Sequence, residues 1–165
     1  MSTSYFLFGS ASVLIFLASA LAAPTALPAA EQAAVFKAAG YKLKGKAWRL
    51  CDTGNSGAPS SPGSIQEVRD LNGDGLPEAV VTEESTFCYG NTGTGYTVVS
   101  KLPNGSWKAI TAGVGIPNFL ATKGAGGWPD IDVGGPGFCF PVMRWNGSEY
   151  KQSRYQYEGK PCRPR

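Results

Sequence analysis

The sequence predicts an all-β fold: compact, propeller-like repeats of short antiparallel strands behind a short N-terminal helix. Three observations point there. Glycine and proline are abundant, 22 and 12 among 165 residues, which favours tight turns over long helices. Short apolar or alternating runs recur between those turns. Two segments also repeat internally, as expected of blade-like units packed side by side.

The elements follow in order. Residues 1–22 carry no Lys, Arg, Asp or Glu, and Ala20-Leu21-Ala22 fits an A-x-A cleavage site before Ala23. This reads as a signal peptide, so the mature chain is expected to be soluble and periplasmic or secreted, with no membrane attachment after cleavage near Ala22. Residues 23–40 are a linker and a short helix. Ala29 to Ala39 is rich in helix formers, Gly40 falls where a C-terminal cap belongs, and Val35 and Phe36 are the expected anchors. Residues 41–165 form the β domain. Tyr41 to Leu50 alternates Lys42, Lys44 and Lys46 with smaller or apolar residues and reads as one edge-type strand. After a Gly/Pro/Ser loop, strands are expected at Ile65–Val68, Ala79–Thr82, Tyr96–Lys101, Trp107–Ile110, Ile131–Val133, Val142–Trp145 and Tyr150–Tyr157. Asn104-Gly105 and Asn146-Gly147 are hairpin turns between them.

The repeat sets Leu76-Pro77-Glu78-Ala79-Val80-Val81 beside Trp128-Pro129-Asp130-Ile131-Asp132-Val133. Phe87-Cys88-Tyr89 then falls beside Phe138-Cys139-Phe140. Four cysteines in an exported domain imply two disulfides, and the absence of C-x-x-C argues against zinc or redox chemistry. Three pairings are open. The repeat places Cys88 with Cys139 and Cys51 with Cys162 as equivalents, which favours Cys51–Cys88 and Cys139–Cys162.

Histidine is absent, so imidazole catalysis and His–zinc sites are excluded. A net charge of +3 is too small for a broad nucleic-acid-binding field. Asp130 and Asp132 share a strand face and are the best placed carboxylates for glycoside acid–base work, but a solvated face is the ordinary reading. Glu83 and Glu84 point to opposite faces and suggest no catalysis. The chain is expected not to be an enzyme.

One motif carries explicit chemistry. Residues 70–78, Asp70-Leu71-Asn72-Gly73-Asp74-Gly75-Leu76-Pro77-Glu78, place oxygen ligands at alternate positions around a hard cation. Asp70, Asn72, Asp74 and Glu78 would offer side-chain oxygens and Leu76 its carbonyl, a set that selects Ca²⁺. Val81 stands where an EF-hand has its twelfth-position glutamate, and a strand follows instead of a helix.

At Asp70–Val81 the chain resembles the calcium-binding FG-GAP or VCBS repeats, whose blades open with D-x-N-x-D-G followed by a strand. Across most of residues 41–162 its build is also similar to periplasmic inhibitors of invertebrate-type lysozymes. The same holds for immunity proteins against lysozyme-like secreted effectors. The resemblance implies a protein-binding domain directed at a peptidoglycan-cleaving enzyme. The tail from Arg144 to Arg165 has six Lys or Arg against two Asp or Glu, so such a target is expected to be neutral or acidic. The different reading is a calcium-stabilised carbohydrate-binding or adhesion module with a glycan partner. Tyr96 and Trp128 are the expected partner-binding anchors, whereas Phe138 and Phe140, beside Cys139, are expected in the core.

Overall fold

The computed structural model describes residues 27–54 and 57–164. Residues 1–22, expected from the sequence to be a signal peptide, and the first part of the expected linker lie outside the described residues. Helix α1 (Ala29–Ala38) ends at Gly40 with φ +87° and buries Val35 and Phe36, the two anchors read from the sequence. The single strand expected over Tyr41–Leu50 is instead a hairpin of β1 (Lys42–Lys44) and β2 (Ala47–Arg49). Gly45, at φ +63°, allows the reversal that the alternation of lysines concealed.

Two antiparallel meanders follow. The first runs β3 (Ser64–Arg69), β4 (Glu78–Glu84), β5 (Thr94–Lys101) and β6 (Trp107–Val114), hydrogen-bonded in that order. The second runs β7 (Ile116–Lys123), β8 (Pro129–Gly134), β9 (Phe140–Trp145) and β10 (Tyr150–Tyr157), with the two-residue β11 (Lys160–Pro161) on its edge. A one-turn helix α2 (Thr86–Tyr89) joins β4 to β5. The repeated hexapeptides thus occupy β4 and β8, the second strand of each meander. Both Asn-Gly pairs fall in hairpin connections, β5–β6 and β9–β10. Among the described residues the protein is mostly β and antiparallel, with two main sheets and the separate β1–β2 hairpin.

Alternation along the strands assigns the faces. Ala79 and Val81 of β4 and Val99 of β5 pack against α1, with Phe36 stacked on Trp48 at 5.2 Å. Val80 and Val98, on the opposite face, join Leu71 and Tyr96 and meet Phe119 and Val133 of the second sheet. Ile131, Trp128 and Tyr150 extend that inter-sheet layer. At about 25 cal/mol per Å² of apolar surface removed from water, these two layers are the main source of stability.

The disulfides are Cys51–Cys88 and Cys139–Cys162, the favoured pairing. They close loops of 37 and 23 residues and fit an oxidising, extracellular compartment. Among the described residues no helix is long and apolar enough to cross a membrane.

Candidate functional site

The acidic loop between β3 and β4 is shaped by its own amides. Asp70 accepts the Gly73 N–H at 2.7 Å on Oδ1 and the Gly75 N–H at 2.9 Å on Oδ2. Those two amides, Gly75 first, hold its carboxyl below the ordinary range. Asn72 Oδ1 accepts the Asp74 N–H, and Asp74 Oδ1 accepts the Leu76 N–H, each at 2.8 Å. Gly73 and Gly75 both take φ +85°, a conformation that strains any side chain with a Cβ. An ionised carboxylate offers about four lone-pair directions, so the amides leave acceptor capacity on Asp70 and Asp74. Asp70, Asn72 and Asp74, with the Leu76 carbonyl, are the oxygen donors of this loop that could hold a hard cation.

Glu78 stands apart from them. Its side chain is buried, accepting the Leu71 N–H at 2.7 Å and the Ser100 hydroxyl at 2.7 Å. Burial pushes its pKa up against those two hydrogen bonds, and the Asp74 and Asp70 charges add to the rise. In this arrangement Glu78 pins the root of the loop to the sheet. Among the described residues no three His, Cys, Asp or Glu side chains converge on one point. The turn before β8 supports the loop from the other sheet. A Cβ on Gly127 would stand 2.4 Å from the Asn72 carbonyl oxygen, so only glycine permits that approach.

Two buried carboxylates carry more structure than the sequence suggested. Asp130 is fully buried and accepts Arg144 Nε and Nη2, each at 2.8 Å, as a bidentate pair. Arg154 Nη1 at 2.8 Å and the Thr122 hydroxyl at 2.7 Å complete its shell. The Arg144 hydrogen bonds, joined by those from Arg154 and Thr122, outweigh burial and hold the Asp130 carboxyl far below the carboxylate range. A group so held is a poor proton donor at neutral pH. Asp132, on the same face, keeps a buried Oδ1 without a hydrogen-bond partner. Glu83, read from the sequence only as one of two carboxylates on opposite strand faces, accepts the Cys51 N–H at 2.6 Å and the Tyr89 hydroxyl at 2.9 Å, tying the hairpin to α2 beside the first disulfide.

The aromatic assignments reverse. Tyr96 and Trp128, expected as surface anchors, are only 4% and 8% exposed. Tyr96 lies on a central strand and faces the second sheet; Trp128 packs on Trp145 and edge-on to Tyr150. Phe138, expected inside, is 56% exposed in the loop of residues 135–139 between β8 and β9. It meets the Tyr157 ring edge-on at 6.3 Å, and Phe140 packs on the same ring. Cys139, at φ +67° and bridged to Cys162, fixes the base of the loop. Phe87 is likewise exposed, next to Cys88 of the other disulfide. No protein-family model, curated protein or solved structure matches the chain.

Proposed function

We propose that the chain is an exported, calcium-binding, protein-binding domain: a periplasmic inhibitor or immunity protein against a lysozyme-like peptidoglycan hydrolase. The observation that carries this reading is the loop of residues 135–139, whose exposed Phe138 is braced by Tyr157 and whose end is anchored by a disulfide. A rigid, protruding aromatic on a braced scaffold suits insertion into an enzyme cleft, because little conformational entropy is lost on binding. Calcium, held by Asp70, Asn72, Asp74 and the Leu76 carbonyl, with Glu78 securing the loop root, would stabilise the junction of the two sheets. It has no chemical role in the binding itself.

The test is peptidoglycan hydrolysis by a panel of lysozyme-like enzymes, secreted effectors included, with purified protein in calcium and in chelator. Stoichiometric inhibition is expected, and Phe138→Ala is expected to weaken it about 30-fold or more while leaving the melting temperature unchanged. Inhibition that Phe138→Ala leaves intact removes the loop from the explanation. No inhibition across the panel, with direct binding of peptidoglycan fragments, favours the carbohydrate-module reading.

A further inference from the structure

A groove separates the β1–β2 hairpin from the first meander, with the edge of β3 as its long wall and the turn and start of β2 as its short one. Lys46, Ala47 and Trp48 form one wall and Gly63 to Val68 the other, enclosing about 760 Å³ over a floor that includes Phe36. At one end the walls meet: the Gly63 N–H donates to the Trp48 carbonyl at 2.7 Å. Beyond that point β2 and β3 belong to different sheets, and each is an edge strand on the side facing the gap. An edge strand presents alternating unpaired N–H and C=O groups, so an extended segment in the gap would meet donors and acceptors along β3.

The charge of the groove is one-sided. Its carboxylate, Glu67, is ion-paired with Arg69. Lys46 on the opposite wall and Lys42 on the same hairpin make no ion pair among the described residues, while Lys44 pairs with exposed Asp52. We infer that this groove binds an acidic peptide segment of a partner protein as a β-strand added to the free edge of β3, beneath Lys46. Main-chain pairing supplies the affinity and Lys46 the preference for a carboxylate. The groove is separate from the Phe138 loop, so this inference and the inhibitor reading stand or fall independently.

The experiment uses the whole mature protein with its disulfides intact. The probe is a capped hexapeptide of alternating threonine, valine and one central glutamate. Beside it are a lysine-for-glutamate twin, a twin methylated at alternate backbone nitrogens, and a trimer of N-acetylglucosamine. Binding is read from amide shifts and from hydrogen exchange at residues 64–68. Saturable binding of the glutamate peptide is expected, with slowed exchange at those amides and at least about tenfold weaker binding of the lysine twin. No binding is expected for the methylated twin. Lys46→Glu, on an exposed rim where folding is not at stake, should reverse the charge preference. The proposal is overturned by absence of saturation at about 1 mM peptide. Equal binding of the methylated twin, or binding by the trisaccharide alone, also overturns it.

Discussion

Asp130→Asn tests the polar cluster that covers the outer face of the second sheet. The substitution keeps volume and one carbonyl acceptor but removes the charge that three guanidinium N–H groups share. A hydrogen bond to a charged group contributes about 1.5–3 kcal/mol net. Simple addition therefore gives far too much, because two features lower it. The Arg144 and Arg154 side chains are 45% and 34% exposed, so in the variant they regain water instead of being left buried and unpaired. The asparagine carbonyl also still accepts from one of them. We expect a loss of about 2–3 kcal/mol, a fall in melting temperature of roughly 8–12 °C for a domain of this size. The acid limb gives an independent reading. In the folded protein the Asp130 carboxyl lies far below its unfolded value of about 3.9, so its contribution is complete above that pH. It is lost as pH falls toward the folded value, and raising the pH does not remove it. Urea unfolding followed by tryptophan fluorescence from pH 7 down to pH 2, disulfides intact, should show a shallower acid limb in the variant. A variant within about 0.5 kcal/mol of wild type, or with an unchanged acid limb, refutes the assignment of Asp130 as a main anchor of this face.

Three further outcomes are expected. Calcium should raise the melting temperature, by the equivalent of about 2.7 kcal/mol at a hundredfold excess over its dissociation constant, and Asp70→Ala or Asp74→Ala should abolish the calcium-induced part of that rise in calorimetry. Gly127→Ala should cost about 2–4 kcal/mol in denaturant unfolding, since φ is +78° and the new methyl meets a backbone oxygen. Replacing Cys51 and Cys88 by serine should cost about 4 kcal/mol and replacing Cys139 and Cys162 about 3.5, from the chain entropy of loops spanning 37 and 23 residues. Chemical denaturation of the two double variants checks both the size and the order.

What was legible in the sequence was local. Helix α1 and its two anchors, seven of the strands and both Asn-Gly turns rest on short-range propensity and alternation, and they appear where those rules place them. Strand β7 does not announce itself, because Ile116-Pro117-Asn118 carries a proline and no clean alternation. It tolerates both as an edge strand bonded only to β8. The aromatic residues were misplaced for a different reason. Whether Tyr96 meets water depends on which sheet face is covered by the other sheet, and whether Phe138 does depends on how its loop lies against Tyr157; nothing within a few residues of either encodes that. Likewise the adjacency of Glu83 and Glu84 gave their faces, but not the Cys51 amide waiting 32 positions away.

The internal repeat explains why a two-sheet stack can stand without closing into a ring. Glu78 and Val80 of β4 share the face turned toward the second sheet, while Ala79 and Val81 face α1. In β8 the equivalent pair Asp130 and Asp132 lies opposite Ile131 and Val133, and it is Ile131 and Val133 that face the first sheet. The units are therefore stacked in the same sense, front to back. Such a stack exposes one unsatisfied face at each end, and repeats of this kind need caps. At one end α1 supplies an apolar cover through Val35 and Phe36. At the other the sequence changes character: where Glu78 stands across from Ser100 in the first unit, Asp130 meets Arg144 in the second, with Arg154 reaching across from β10. The buried carboxylate at the repeat position is kept, but its partners change from a hydroxyl and an amide inside the stack to two guanidiniums that can face water. That exchange turns a stacking face into a solvated one.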